Sequence, residues 1–263
     1  MSVMEQVERL VREVARTEVL PRFLSVGHQR KEDGSMLTEA DLACQAALTH
    51  HLPQIAPYPV LGEEMTPEQQ ETLWSHHTDG LWVVDPIDGT TNFIHGLPHF
   101  AISVALMQNG RTTLGVIYDP ISDELFHAQR GGGAFVNTTP LPLKKHTPLL
   151  SDAIAGIDAK YLRSARLSSR VFSVAPFASL RNMGSSTLDW CYLADGRYDL
   201  YLHGGQRLWD YAAGAVILEE AGGRIATLSQ DDFWTDTPWY RSVVAALDPK
   251  LFIQWNKWVQ QNQ

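Results

Sequence analysis

WVVDPIDGTTNFIHG, residues 82–96, carries more of the meaning of this chain than any other stretch. The apolar run Leu81, Trp82, Val83 and Val84 predicts a strand buried in a sheet. It ends on Asp85, and Pro86 then turns the chain because it cannot donate to a sheet ladder. Asp88-Gly89 follows, and Thr90-Thr91-Asn92 favours a helix start. Two carboxylates three residues apart at a strand tip, beside free backbone N–H groups, suit hard cations and a phosphate. Asp-Pro and Asp-Gly also make ordinary turns. A plain turn needs only one such pair, whereas here acids, turn and hydroxyls coincide.

With 263 residues, 44% of them hydrophobic and 19% charged, the chain can bury a sizeable core. The expectation is one catalytic domain over 1–263, made of a half at 1–145 carrying the metal site and a half at 146–263. The net charge of −9 gives no global basic field for nucleic acid or an anionic membrane. Handling phosphate then requires local positive charge, for which divalent ions are the obvious source. Cys44 and Cys191 have neither disulfide nor zinc spacing, which points to a reducing cytoplasm. No signal-peptide run opens the sequence and no apolar run approaches a membrane span, so a cytoplasmic, non-membrane protein is expected.

Outward from the central stretch, elements follow from periodicity and turn chemistry. Val3, Val7, Leu10, Val11 and Val14 predict an amphipathic helix over 3–20 that Pro21 ends or kinks. Residues 27–34 read as a loop. Thr38 is a plausible N-cap for a helix over 39–51, with Glu39 and Asp41 in its first turn. A short strand at 60–62 runs into Glu63-Glu64, and a helix follows over 66–75. Alternating Ile102, Val104 and Leu106, the Asn109-Gly110 turn, and Leu114, Val116 and Tyr118 predict a hairpin. Strands at 124–127 and 134–136 extend it, and Gly131-Gly132-Gly133 reads as a turn rather than a phosphate cradle. The second half alternates again: strand 153–157, helix 159–170, helix 184–194 starting at Ser185, strand 198–202, helix 209–221. Strands at 224–227 and 242–246 and a helix from 248 complete a layered α/β (α+β) architecture.

Four acidic clusters stand at element ends: Asp41, Glu63-Glu64, Asp85 with Asp88, and Asp210. Mg²⁺ takes octahedral oxygen ligands and keeps some water. Two such ions about 4 Å apart can clamp the attacking and leaving oxygens of an in-line phosphoryl transfer. Any one acid alone is an ordinary surface charge. Asp210 in particular reads equally well as a helix N-cap or as a carboxylate aimed at a metal-bound phosphate.

Residues 82–96 and 209–223 (WDYAAGAVILEEAGG) resemble the two signatures of the inositol monophosphatase family, and Leu37–Asp41 and Leu61–Glu64 are similar to further family segments. The resemblance implies a five-layered α-β-α-β-α sandwich, a homodimer, and lithium-sensitive phosphatase activity needing two or three Mg²⁺, with Mn²⁺ as an alternative. By that resemblance Glu63, Asp85 and the Ile87 carbonyl hold one metal, and Asp85, Asp88 and Asp210 the second. Gly89 and Thr90 N–H groups bind phosphate, with Thr91 beside them. Thr90 with Asp41 orients the metal-activated water, and Glu63 helps activate it. No phosphoenzyme is implied. Gly184, Ser185 and Ser186 match a polyol-contacting segment.

One position departs from that pattern. Seven residues before Asp210, where inositol-specific members carry a Glu, stands His203. A histidine there can donate to hydroxyls, attract a second anion if protonated, or be a solvated loop residue. Thr91-Asn92 speaks against relatives that cleave 3′-phosphoadenosine nucleotides, where a Lys-Glu pair is usual. The expected substrate is a small polyol or sugar phosphate. A fructose 1,6-bisphosphatase-type activity using His203, Arg207 and Arg181 is the alternative, and an RNA- or transcription-associated role is disfavoured by the acidic balance.

Overall fold

Helix and strand start where local chemistry allows, and the chain order shows it. In this computed structural model, which describes residues 1–263 except 26, 32, 33, 35, 78, 145–148 and 235–237, α1 (Val3–Val14) opens with a capping box. The Ser2 hydroxyl accepts from the Glu5 N–H and the Glu5 carboxylate accepts from the Ser2 N–H. The helix passes through a π-helical turn at Ala15–Val19 and a 3₁₀ turn at Leu20–Arg22, where Pro21 ends it. Next come β1 (His28–Arg30) and β2 (Met36–Thr38), an antiparallel pair. The expected loop at 27–34 therefore contains a strand. Every residue of β1 is exposed, so it carries no hydrophobic alternation to betray it.

Thr38 caps α2 (Glu39–Ile55), which continues past residue 51 and through Pro53. Then follow β3 (Val60–Gly62), α3 (Pro67–His76), β4 (Leu81–Asp88), α4 (Thr90–His95), β5 (Ala101–Gln108), β6 (Arg111–Asp119), β7 (Glu124–Gln129), β8 (Ala134–Val136) and β9 (Thr139–Pro140). These seven strands form one sheet in the order β3-β4-β5-β6-β7-β8-β9, with only β3 and β4 parallel. The Gly131–Gly133 turn gives its N–H groups to Glu220, from Gly131 at 3.0 Å and from Gly133 at 2.9 Å, so it is a clamped turn.

The boundary expected at 145/146 lies outside the described residues. The second half comprises β10 (Ile154–Asp158), α5 (Ala165–Ser173), β11 (Ser179–Arg181), α6 (Ser186–Asp195), β12 (Leu200–Gln206), α7 (Leu208–Glu220), β13 (Arg224–Ala226), β14 (Arg241–Ala246) and α8 (Pro249–Asn262). Its sheet runs β11-β10-β12-β14-β13. Three expectations need correction. The helix expected at 159–170 begins only at Ala165, because Asp158 turns the chain by accepting the Lys160 N–H and Ser164 provides the cap. The strand expected at 198–202 runs on to Gln206, so His203 is a strand residue and not a loop residue. Arg207 is the N-cap residue of α7, and Asp210 sits in its first turn rather than at the cap.

Three apolar layers join the sheets and helices. Val7, Val11 and Leu48 of α1 and α2 pack on Trp82, Val84 and Val104 from one face of the seven-stranded sheet. Val83, Ala105 and Ile117 from its other face meet Trp190, Ala213 and Ile217 of α6 and α7, which in turn cover Tyr201 and Val243. Leu167, Leu251 and Trp255 of α5 and α8 close the far side over Leu200, Leu202 and Val244. The order is α-β-α-β-α. Burial of β4 on both faces explains why its sequence is a continuous apolar run rather than an alternating one.

Candidate active site

Asp85 and Asp88 are three residues apart, and in a regular strand such residues point to opposite faces. Here β4 carries a bulge: Asp85 pairs with Ser103 and Asp88 with Ala101, three steps against two. The extra residue turns both carboxylates to one side. Asp210, from the first turn of α7, joins them, and one carboxylate oxygen from each lies within 4.8 Å of the others. Gly89 must be glycine at the next position, because its φ is +94° and a Cβ would lie 3.0 Å from the His99 carbonyl oxygen.

Each acid is held by its neighbours. Asp88 Oδ2 accepts from the Ser185 hydroxyl (2.6 Å), the Thr187 N–H (2.7 Å) and the Thr187 hydroxyl (2.7 Å), all at the start of α6. Asp210 Oδ2 accepts from the Arg207 N–H at 2.8 Å. Asp85 Oδ1 accepts from the Ile87 N–H at 3.1 Å. Burial, and then Glu63 and Asp88, hold the Asp85 carboxyl well above the ordinary carboxylate range. Burial and then Asp88 do the same for Asp210. Like charges gathered out of water without a neutralising cation among them behave this way, and a divalent ion removes the penalty.

Glu63 follows β3, and its carboxylate lies 3.0 Å from the Lys31 ammonium, which also approaches Glu64 at 2.6 Å. Burial alone lowers the Lys31 ammonium, yet Glu63 and Glu64 together raise it above its usual value. Burial and the Glu63 charge push Glu64 up to about 7. Asp41 is fully buried behind this group. Its Oδ2 accepts from the Thr38 N–H (2.7 Å) and hydroxyl (2.6 Å), while Oδ1 has no partner among the described residues. Burial raises Asp41 to about 6, against the opposing Thr38 hydrogen bonds.

The Thr90 hydroxyl donates to the Ile87 carbonyl at 3.0 Å, and among the described residues it makes no direct hydrogen bond to Asp41, with which it is expected to orient the water. Glu63, Asp88, Gly89, Thr90, Thr91, Gly184, Ser185, Ser186, His203 and Asp210 line one crevice of about 610 Å³. Asp41, Asp85 and Ile87 lie behind its surface. Ser185 is spent largely on Asp88 and on capping α6 through the Leu188 N–H. His203 is 4% exposed, and burial lowers it to about 4, so it is neither a solvated loop residue nor a cation at neutral pH. Arg181 bonds to Ser179 and the Leu180 carbonyl and does not line the crevice, whereas Arg207 does.

Sequence reasoning missed Lys31, Thr187 and Asn92. Asn92 donates to the His99 carbonyl (2.8 Å) and the Met183 carbonyl (2.7 Å), tying α4 to the segment that carries Gly184. Nothing local marks these residues, because each acts on a partner distant in sequence. Cys44 and Cys191 are both buried and free. Among the described residues no helix is long and apolar enough to cross a membrane.

Known proteins share this fold. The model of the inositol monophosphatase family matches residues 2–261. The chain is 36% identical over 213 residues to the Nus factor SuhB of Pasteurella multocida, covering 77% of this chain and 78% of that protein. It is 38% identical over 198 residues to an inositol-1-monophosphatase of Rhizobium meliloti, covering 73% and 72%. The extragenic suppressor protein suhB of Bartonella henselae superposes with a TM-score of 0.81 at 28% identity, covering 99% of both chains. With the layered fold and the acidic cluster in one crevice, these matches establish that the chain belongs to the inositol monophosphatase family and is a phosphoric monoester hydrolase.

Proposed function

We propose that the protein is a Mg²⁺-dependent phosphomonoesterase acting on a small polyol or sugar phosphate, with the whole chain serving as one catalytic domain. The observation that carries this reading is the convergence of Asp85, Asp88 and Asp210 within 4.8 Å, with Asp88 and Asp210 lining the crevice and Asp85 just behind them. An all-oxygen donor set fits Mg²⁺, or Mn²⁺, better than a soft metal. Asp85, Asp88 and Asp210 would hold one ion, and Glu63, Asp85 and the Ile87 carbonyl another. Such ions supply charge against the phosphate oxygens and a nucleophilic water at neutral pH.

The chain's own groups do the positioning. Backbone N–H groups of Gly89, Thr90 and Thr91 face the phosphate, as their place beside the acids in the crevice supports. Glu63 accepts a proton from the attacking water, and Thr90 orients that water, with buried Asp41 supporting them from behind. No side chain forms a phosphoenzyme, so catalysis is positioning and charge neutralisation. Ser186 and Gly184 flank the alcohol portion of the substrate. Lithium inhibition and a homodimer belong to the family reading, and a cytoplasmic location to the two unpaired cysteines.

The deciding experiment is phosphate release from polyol, sugar and nucleotide phosphates with and without Mg²⁺, beside Asp88→Asn. We expect Mg²⁺-dependent release and a loss of several orders of magnitude in the variant. Near-parental release from folded Asp88→Asn would sink the assignment. The bisphosphatase alternative loses support with His203 neutral and Arg181 outside the crevice. Relatives named Nus factor SuhB keep a transcription-associated role as a second reading. A salt-dependent RNA gel shift at physiological ionic strength would revive it.

A further inference from the structure

His203 is fixed by its surroundings in a way that sets which of its nitrogens carries the proton. Its ring stacks on Tyr161, centroids 5.6 Å apart and planes at 25°. Nδ1 lies 3.1 Å from the Gly205 backbone nitrogen, which can only donate, so Nδ1 accepts. A neutral imidazole accepting at Nδ1 carries its hydrogen at Nε2. His203 is thus a donor toward the crevice.

Asp158 stands beside it. The two residues are register partners on the parallel strands β10 and β12, and both line the crevice. Asp158 Oδ1 accepts from the Lys160 N–H at 2.8 Å, while Oδ2 lies 3.7 Å from His203 Nε2, too far for a hydrogen bond. In the same wall Asp189, 4% exposed, has an Oδ1 with no hydrogen-bond partner among the described residues. The donor and the acceptors are therefore ready for a ligand rather than for each other.

A hydroxyl oxygen about 2.9 Å from each of two atoms separated by 3.7 Å closes an unstrained triangle. It accepts from Nε2–H and donates to Oδ2, satisfying both. A second phosphate or a carboxylate only accepts, and it meets the Asp158 carboxylate with like charge. An ammonium only donates, and it meets the fixed Nε2–H. We propose that Asp158 and His203 form a donor–acceptor pair reading one substrate hydroxyl, making Asp158 a specificity-determining residue. The substrate class is then the monophosphate of an otherwise uncharged polyhydroxylated alcohol, with Asp189 beside an adjacent hydroxyl. The inference rests on the phosphatase reading.

The test measures kcat and KM, with Mg²⁺, for polyol monophosphates and aldose 1-phosphates, for amino-sugar phosphates and sugar bisphosphates, and for p-nitrophenyl phosphate as a hydroxyl-free probe. The readout is the ratio of the best polyol or aldose kcat/KM to that for p-nitrophenyl phosphate. Asp158→Ala, Asp158→Asn and His203→Ala should each lower it about tenfold or more, mainly through KM. His203→Gln, which keeps an N–H donor, should retain more of the ratio than His203→Ala. A ratio unchanged within about twofold in both Asp158 variants, each shown to be folded by its thermal transition, overturns the proposal. So does a parental preference for an amino-sugar phosphate or a bisphosphate. No Mg²⁺-dependent release from any compound, p-nitrophenyl phosphate included, overturns the phosphatase reading instead, and this inference falls with it.

Discussion

The carboxylate of Asp88 accepts the backbone N–H of Thr187, 99 residues further along the chain, at 2.7 Å. This bond locks the tip of β4 in the first half to the start of α6 in the second. The Thr187 and Ser185 hydroxyls reach the same oxygen at 2.7 and 2.6 Å, whereas Oδ1 has only a long contact from the Ser186 hydroxyl at 3.5 Å. The crevice is thus aligned by the acid that is proposed to serve it.

Loss of these donors should loosen Asp88 without unfolding the protein. Supporting hydrogen bonds to a metal-ligating carboxylate are worth about 10–100-fold in metal affinity or activity. We expect Thr187→Val and Ser185→Ala each to lose that much in kcat/KM or in Mg²⁺ affinity, with the combined variant losing less than the product because all donors share one oxygen. Steady-state phosphate release against Mg²⁺ concentration measures both. Parental kinetics in the double variant would show that Asp88 needs no such support.

The buried acids make a second, opposite prediction for stability. Asp85 and Asp210 have carboxyls raised by burial and by the acids around them, so each holds a proton more tightly in the metal-free fold than in the unfolded chain. A folded value above the unfolded one means stability that is lost as pH rises. At neutral pH, therefore, Asp85→Asn should raise the melting temperature of the metal-free protein while abolishing activity. Mg²⁺ should stabilise the parent, by about 2.7 kcal/mol at roughly one hundred times Kd, and stabilise the variant far less. Calorimetric scans with EDTA and with Mg²⁺ check this. A metal-free variant less stable than its parent would contradict the crowding of charge.

Gly89 offers a backbone test. Its left-handed φ of +94° and the 3.0 Å approach of the His99 carbonyl oxygen leave no place for a methyl group. Gly89→Ala should cost about 1–3 kcal/mol and, by shifting the turn between Asp88 and Thr90, most of the activity. Urea unfolding and phosphate release measure the two effects. A variant with unchanged midpoint and turnover would show that the turn has slack.

What the sequence revealed and what it hid divide along contact distance. The strand at 81–84, the Thr38 cap and the Asp85–Asp88 turn are written in neighbouring residues, where burial, capping and proline geometry act. Asp210 stands with the other acids by its place at an element end, but only the resemblance assigns it to the same metal as Asp85 and Asp88, because α7 meets β4 through tertiary packing. The contacts of Thr187, Asn92, Lys31 and Asp158 stayed hidden for the same reason: a threonine, an asparagine, a lysine or an aspartate looks alike in sequence whether it faces water or a partner far along the chain. α5 starts later than its helix-compatible composition predicts, because the Asp158 turn interrupts it. The solvated-loop reading of His203 fails because β12 runs on through Gly204-Gly205, packed so closely that a side chain at Gly204 would strike the Tyr161 backbone.

His203 gives the last prediction, through pH. Burial lowers it to about 4, from an ordinary value of 6.5. Between these values the unfolded chain binds a proton that the folded protein refuses, so stability rises with pH through this window and is lost as pH falls from 6.5 toward 4. The full penalty is on the order of 3 kcal/mol. Asp41, raised to about 6 by burial, acts in the opposite sense, since its contribution is lost as pH rises through that value. The parent's pH profile is therefore a sum of opposing slopes, and a single-residue difference is needed to separate them. His203→Gln, which keeps a polar side chain but cannot titrate, should lose less stability than the parent on acidification from pH 7 to pH 4.5. Urea midpoints for both proteins at half-unit pH steps provide the measurement. Parallel profiles would mean that His203 accepts a proton in the fold as readily as in the unfolded chain, and that its Nε2–H donor state is not enforced by burial.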